Sequence, residues 1–234
     1  MVAHLNEART KAYIVSFPRD MYVTIPGHGK DKLNAAYSLG GAALTVQTLE
    51  GLTGVRMDHV ALVDFEGFIA LTKDLGGVTV NNKTAFSSHG FDYPKGKVTL
   101  EGEKALWFVR ERHALPDGDL DRAANQRKVI KAIIAKGLSA DVVADPVRFT
   151  GFLGNLAKHV TVDNNLSDAE IRSTALSLRL QAKDIELLQA PLSGFGTSPT
   201  GESIDLVDTA QLEELSRALQ NDSMESYVEK YPQG

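Results

Sequence analysis

The chain has 234 residues, 43% hydrophobic and 24% charged, which is typical of a globular protein with a sizeable core. Its net charge of -5 argues against a broad nucleic-acid-binding face, so a DNA-binding regulator is the least favoured function. The absence of cysteine excludes disulfides, thiolate metal sites and a cysteine nucleophile.

The N-terminal segment is predicted to alternate strand, turn and helix. KAYIVSF (11–17) is predicted to be a buried strand because it is rich in β-branched and aromatic residues. After Pro18 the chain runs to a Pro/Gly turn in MYVTIPGHG. From Lys32 to Leu52 the apolar spacing is helical, with a break predicted at Gly40–Gly41.

A strand–helix–strand unit is predicted next. HVALVDF (59–65) is a nearly continuous apolar run, typical of a strand buried on both faces. FEGFIALTKDLGG is predicted to be a helix that ends at Gly76–Gly77, and VTV (78–80) a short strand. This order indicates a sheet covered by helices.

The rest of the chain is predicted to be mainly helical. Residues 81–98 are polar and contain Gly and Pro, and are predicted to form a loop. The helix from 100 to 112 is expected to turn Leu106, Trp107 and Val109 inward. The remaining predicted elements are helices at 119–139, 146–159 and 167–179, a strand at 184–190, a loop at 191–203 and a helix at 209–228. One α/β domain is the prediction.

Charged residues are concentrated in FVRERHALPDGDLDRAANQRK (108–128). Arg110 and Arg112 lie two residues apart at a helix end, so they do not share a helical face and converge only if the chain turns there. Pro116 and Gly118 make that turn plausible. A solvated loop of ion pairs and a site for an anion both remain open from these residues alone.

The next helix adds polar groups to this stretch. Asp119 is predicted to cap the helix with its carboxylate. Arg122 and Gln126 are four residues apart and share a face, an arrangement that suits a phosphate. A calcium-binding EF-hand loop is excluded, because its required Gly and Glu are replaced by Arg122 and Lys128.

A second charged stretch follows the first buried strand. Arg19 comes directly after Pro18, where open α/β sheets place their ligands, and its partner is predicted to be Asp20, Asp64 or a ligand. Lys32 starts the next helix, where a charged residue is also ordinary helix-start composition. His28 and His59 have no second histidine or carboxylate at a metal-ligand spacing, and we interpret both as structural. His113 lies in the arginine-rich loop, where a bystander role is favoured over assistance in catalysis.

Three segments together resemble the LytR-CpsA-Psr family of bacterial cell-envelope enzymes. They are SFPRDMYVTIPGHGKDKLNAAYSLGG, LTGVRMDHVALVDFEGFIALTKDLGGV and LEGEKALWFVRERHALPDGDLDRAANQRKVI. The resemblance covers residues 1–160, taken as the catalytic core, with 161–234 as the C-terminal part of the same domain. GFGTSPTGES and the final helix also resemble actinobacterial members.

The resemblance implies an α/β/α sandwich with a central mixed β-sheet and an apolar tunnel for a polyprenyl chain. It implies transfer of a phosphoglycosyl polymer, such as teichoic acid, capsule or arabinogalactan, from a polyprenyl-pyrophosphate carrier to peptidoglycan. Magnesium is the implied cofactor. The implied location is extracytoplasmic, with a membrane anchor formed by an upstream helix.

The resemblance also implies roles for individual residues. Asp119 matches a carboxylate that orients an arginine or activates the acceptor hydroxyl, and Arg110 and Arg112 are the other implied catalytic residues. The residues that match pyrophosphate-binding positions are Arg19, Lys32, Arg110, Arg112, Arg122 and Gln126.

The chain departs from the family pattern at its start. The family's first strand and its magnesium-binding aspartates normally precede a segment like MVAHL, so the metal ligands are expected upstream of this sequence. The runs 129–138 and 147–160 are candidate walls of the prenyl tunnel or plain core. Two alternative functions remain open: a polyprenyl-pyrophosphate hydrolase and a non-catalytic polyprenyl-phosphate-binding or regulatory module.

Overall fold

The computed structural model describes residues 1–163 and 165–232, with the backbone alone at 140, 143, 168 and 172. In chain order the elements are β1 (Val2–Leu5), β2 (Ala12–Ser16), β3 (Tyr22–Ile25), β4 (Gly29–Lys32), α1 (Leu33–Thr53), β5 (Ala61–Leu62), α2 (Phe65–Asp74), β6 (Val78–Asn82), β7 (Phe86–Ser88), β8 (Phe91–Tyr93), β9 (Gly96–Leu100), α3 (Gly102–Arg110), α4 (Asp119–Gly137), α5 (Ala140–Val143), α6 (Pro146–His159), β10 (Thr161–Val162), α7 (Asp168–Ser177), a 3₁₀ turn (Ala182–Asp184), β11 (Ile185–Gln189), β12 (Leu192–Thr197), β13 (Ser203–Val207), α8 (Thr209–Gln220) and α9 (Met224–Lys230).

The chain folds into two compact units that interleave in sequence. Unit one comprises Met1–Glu7, Tyr13–Val60 and Leu188–Gly234, and unit two comprises Ala8–Ala12 and Ala61–Leu187. Arg19 and Lys32 belong to unit one, and the other predicted site residues belong to unit two. The mixture of helices and strands confirms the predicted α/β class.

The described part of unit one contains part of a three-stranded sheet, two hairpins and helices α1, α8 and α9. In the sheet, β2 lies between β1 and the end of β11, and Ala190 N donates to Ser16 O at 2.8 Å. The pairs β3–β4 and β12–β13 are antiparallel hairpins. Helices α8 and α9 supply Leu215 and Tyr227 to a core that also contains Val15. Helix α1 is interrupted at Gly40 and Gly41 by non-helical backbone angles, as predicted.

Unit two contains the helices that carry most of the charged stretch. Antiparallel pairs join β6 to β9, β7 to β8, and β5 to β10. The core between these strands and helices α2, α3 and α4 includes Tyr93, Phe108 and Val129, all at most 1% exposed. Helix α6 begins as predicted, because the Asp145 side chain accepts from two backbone amides and Pro146 follows it.

The prediction of a strand at 59–65 buried on both faces is wrong. Only Ala61–Leu62 forms a strand, β5, and Leu62, Val63 and Phe65 are 39%, 50% and 57% exposed. The strand is short because the Asp64 carboxylate accepts from Gly67 N at 2.7 Å and caps α2 directly after it.

Two predicted loops contain hairpins instead. Residues 81–98 hold β7, β8 and parts of β6 and β9, with a two-residue turn at His89–Gly90 where both φ angles are positive. Residues 191–203 hold β12 and the turn to β13. The predicted single helix at 209–228 is two helices, separated at Asp222, where φ is 51°.

A helix that crosses a bilayer needs about 20 predominantly apolar residues. Within residues 1–163 and 165–232, no helix is both long and apolar enough to cross a membrane.

Candidate functional site

Arg110 ends α3 and lies against two aromatic rings. Its guanidinium carbon is 4.4 Å from the ring centre of Phe65 and 4.9 Å from that of Trp107. Leu106 and Val109 are buried, as expected, and Trp107 is partly buried with its ring against the Arg110 guanidinium. Its spacing of three residues from Arg110 places the two side chains on one helical face, where the ring supports the cation.

Residues 110–114 form a turn, called the arginine turn below. Arg112 is exposed, and its Nε donates to His113 Nε2 at 3.3 Å. Within the described part of the chain, neither Arg110 nor Arg112 forms an ion pair with a carboxylate. Arg110 and Arg112 are therefore exposed without a carboxylate partner among the described residues, so these two arginines do not belong to an ion-paired loop.

Glu111 lies between these arginines, but its carboxylate contacts other groups. Its Oε1 accepts the backbone amides of Arg112, His113 and Ala114 at 2.9, 2.7 and 3.0 Å. Its Oε2 accepts a very short hydrogen bond from the Ser88 hydroxyl. Burial raises the pKa of Glu111, but the Ser88 hydroxyl and the three amides outweigh it and lower that pKa to about 2.

Asp119 and Arg122 form an ion pair on the first turn of α4. Arg122 Nη2 lies 2.5 Å from Asp119 Oδ1, and the two side chains are 16% and 24% exposed. Oδ1 is buried and lacks an aligned hydrogen bond, so the contact is chiefly ionic. The prediction that Asp119 caps α4 is wrong: Gly118 occupies that position and its carbonyl accepts from Arg122 N.

Gln126 joins the two helices that carry the arginines. Its Nε2 donates to the carbonyl oxygen of Val109 at 3.2 Å, one residue before Arg110. Since Gln126 lies one turn after Arg122 on α4, this bond brings the end of α3 close to the start of α4. The amide group of glutamine has two N–H donors, and this bond uses one of them. The role of Gln126 in binding pyrophosphate stays a prediction.

Arg19 and Lys32 lie near each other in unit one. Asp20 Oδ1 is 3.9 Å from Arg19 Nε and 3.7 Å from Lys32 Nζ. Lys32 Nζ also donates to Glu202 Oε1 at 3.3 Å, and Arg19 is half exposed. Asp20 is therefore the partner of Arg19 among the predicted alternatives. Contact of Arg19 and Lys32 with phosphate stays a prediction.

An apolar cavity of about 330 Å³ lies within unit two. The residues that line it include Leu153, Gly154, Leu156, Val160 and Ile171. The second half of the run 147–160 thus lines a cavity, and its role as a tunnel wall stays a prediction. In the run 129–138, Val129 and Ile133 are buried in the core instead.

Magnesium is bound in proteins mainly by carboxylate oxygens and water. Among the described residues there is no group of three or more His, Asp or Glu side chains able to hold a metal ion. No chemical step is therefore assigned to a magnesium ion bound by these residues.

Several site residues escaped the sequence analysis. Phe65 reaches Arg110 from a different helix, which no local pattern indicates. Ser88 and His89 lie on the β7–β8 hairpin, whose signal was the pair His89–Gly90 between two aromatic segments. Glu111 was overlooked because a carboxylate between arginines suggests an ion pair rather than a bond to its own backbone.

The chain is similar in sequence and in structure to known proteins. The chain is 36% identical over 222 residues to a polyisoprenyl-teichoic acid–peptidoglycan teichoic acid transferase, TagU, from Enterococcus faecalis (strain ATCC 700802 / V583), covering 94% of this chain and 71% of that protein. The crystal structure of Bacillus subtilis TagV superposes with a TM-score of 0.80 at 28% identity, covering 92% and 84% of the two chains. TagT bound to LIIa-WTA has a TM-score of 0.72 at 30% identity, covering 94% and 82%.

The family model described as LytR_cpsA_psr matches residues 1–221. This match is longer than residues 1–160, over which the three segments resemble the family. The three segments, the α/β fold and these relatives agree: the chain belongs to the LytR-CpsA-Psr family.

Proposed function

We propose that this chain is a phosphotransferase that moves a phosphoglycosyl polymer from a polyprenyl-pyrophosphate carrier onto peptidoglycan. The observation that carries the proposal is the pair of exposed guanidiniums, Arg110 and Arg112, without carboxylate partners in the described structure. A guanidinium group binds phosphate through two parallel hydrogen bonds. The names of the relatives supply teichoic acid as the polymer class.

The chemistry requires charge stabilisation more than covalent participation by the protein. An acceptor hydroxyl on peptidoglycan attacks the phosphorus that bears the sugar, forming a new phosphorus–oxygen bond and losing its proton. The bond from that phosphorus to the bridging oxygen breaks, and polyprenyl phosphate leaves with the electron pair. Arg110 and Arg112 are placed to stabilise the charge that develops on the leaving phosphate.

Arg122 is assigned to the other phosphate oxygens, with Asp119 as its orienting partner. The 2.5 Å ion pair fixes the guanidinium at the start of α4, where the helix dipole also favours an anion. The Gln126–Val109 bond supports this assignment, since it joins Arg122's helix to the residue before Arg110. Arg19 and Lys32 are proposed to bind phosphate as well, through the positions they match in the family.

The prenyl tail is assigned to the apolar surface of unit two. The cavity of about 330 Å³ beside Leu153 and Ile171 offers an apolar lining, and burial of each prenyl methylene contributes about 0.8 kcal/mol. We also propose magnesium dependence, an extracytoplasmic location and membrane anchoring by a segment outside this sequence. Arabinogalactan is an alternative polymer to teichoic acid.

Transfer from a synthetic polyprenyl-pyrophosphoryl glycan to a peptidoglycan oligomer tests the proposal. The product is measured by mass spectrometry, with and without Mg²⁺, for the wild-type chain, Arg110→Ala and the matched control Arg148→Ala, an exposed arginine paired with Asp141 and Asp145. We expect wild type and Arg148→Ala to form product and Arg110→Ala to lose it. Release of phosphate products equal with and without acceptor would instead indicate a hydrolase, and tight binding without turnover a non-catalytic module.

A further inference from the structure

The carboxylate of Glu111 joins two separate segments of unit two. One oxygen accepts three successive amides of the arginine turn, and the other accepts the Ser88 hydroxyl of β7. This is an unusual use of a carboxylate that has an arginine on either side, because an ion pair with either neighbour would neutralise it. Its charge is instead satisfied by hydrogen-bond donors, which leaves both guanidiniums unpaired.

Ser88 is itself held in place by its hairpin. The Ser88 hydroxyl has one proton, and because it donates that proton to Glu111 it accepts from His89 Nδ1 at 2.9 Å. The His89 ring stacks on Trp107, with ring centres 3.4 Å apart and planes within 6°. The hairpin tip therefore contacts both the arginine turn, through Ser88, and the last turn of α3, through His89.

The contacts of the hairpin tip with Glu111 and Trp107 restrain both Arg110 and Arg112. Trp107 supports the guanidinium of Arg110, and Glu111 fixes the backbone from which Arg112 departs. A bidentate contact with phosphate depends on the direction of the guanidinium plane, and a displacement of about 1 Å can lower a rate about a hundredfold. Groups that fix this backbone therefore influence catalysis without touching the substrate.

We propose that Glu111 is a positioning residue for the transfer reaction: anchored by Ser88, it sets the arginine turn in the geometry that binds pyrophosphate. This inference rests on the proposed function, and it adds a residue that touches neither the phosphate nor the acceptor. Glu111 does not act as a base in this account, since both of its oxygens are occupied by donors.

Three variants separate a positioning role from general stability. Glu111→Ala removes all four hydrogen bonds, Glu111→Gln keeps an oxygen for the three amides, and Ser88→Ala removes only the anchor. Glu103→Ala, which removes an exposed carboxylate in the first turn of α3, is the matched control. For each variant, kcat, KM, affinity for a short polyprenyl pyrophosphate and hydrogen exchange of the 112–114 amides are measured.

We expect Glu111→Ala to lower kcat at least tenfold and to speed exchange of the 112–114 amides, while exchange in α6 stays at the wild-type rate. Glu111→Gln should recover most of the activity, and Ser88→Ala should give an intermediate loss. Glu103→Ala should match wild type. Wild-type kcat and affinity in Glu111→Ala would overturn the positioning role while leaving the proposed function intact. A wild-type chain that neither binds nor transfers would overturn the proposed function, and this inference with it.

Discussion

Asp119 and Arg122 form a 2.5 Å ion pair one helical turn apart, at the start of the helix that follows the arginine turn. Both side chains are largely shielded from water, so removal of one charge would leave the other partly buried without its partner. The contact supports the role of Asp119 as an orienting group, since its carboxylate meets a guanidinium rather than the backbone.

Asp119→Asn is expected to lower kcat by about tenfold to a hundredfold, because Arg122 loses the charge that fixes its direction. The shape of the side chain is preserved, so the helix content should match wild type by circular dichroism. Asp117→Asn, in the preceding exposed loop, is the control and should retain wild-type turnover. Equal turnover for Asp119→Asn and wild type would show that the pair has no part in the reaction.

Arg110→Lys tests the geometry of the guanidinium while keeping its charge. Lysine has no planar fork for bidentate contact with phosphate and stacks less well on Phe65 and Trp107. Affinity for a short polyprenyl pyrophosphate, measured by titration calorimetry, should fall about tenfold, which corresponds to about 1.4 kcal/mol. The same change at Arg148 should have no effect. Full affinity in Arg110→Lys would mean that a point charge is sufficient.

Glu111 should make stability depend on pH in the acid range. Its pKa is lowered to about 2 in the folded chain, against 4.5 in its ordinary state, so it binds fewer protons when folded. Its contribution to stability is therefore fully present above about pH 4.5 and is lost as the pH falls toward 2. Urea unfolding of wild type and Glu111→Gln should show a free-energy difference that is constant above pH 5 and shrinks below it. A difference that stays constant down to pH 3 would contradict the assigned hydrogen bonds.

Two glycines on neighbouring helices test the packing of α4 against α6. A Cβ added at Gly137 would lie 2.3 Å from the Phe152 ring, whereas one at Gly151 meets nothing within 4 Å. Gly137→Ala should destabilise the chain by about 1–3 kcal/mol through overpacking. Gly151→Ala should stabilise it by up to about 1 kcal/mol, because alanine favours a helix. If both variants changed the stability to thermal unfolding in the same direction, that result would contradict this packing.

The helices were the most predictable part of the fold. Helix α6 has Asp145 and Pro146 at its start, and the break in α1 coincides with Gly40–Gly41. These signals are local, so the sequence displays them directly. The β7–β8 hairpin was missed because strands of three residues are too short to show an alternating pattern. The exposure of Val63 was missed because an apolar run indicates burial only when partner strands exist.

The candidate site was predictable in its charges but not in its contacts. Spacing indicated that Arg122 and Gln126 share a face, and that Arg110 and Arg112 need a turn between helices. The aromatic support of Arg110 by Phe65 depends on tertiary packing between α2 and α3, which no short-range pattern contains.

The most direct test of the central claim, that the arginine turn binds a pyrophosphate, is titration of a short polyprenyl pyrophosphate into the wild-type chain and the Arg110→Ala/Arg112→Ala double variant. Arg148→Ala serves as the control for the loss of a positive charge. The account predicts binding by wild type and Arg148→Ala, and at least a hundredfold weaker binding by the double variant. Equal affinity in all three chains would contradict it, because the two unpaired guanidiniums would then have no part in holding the ligand.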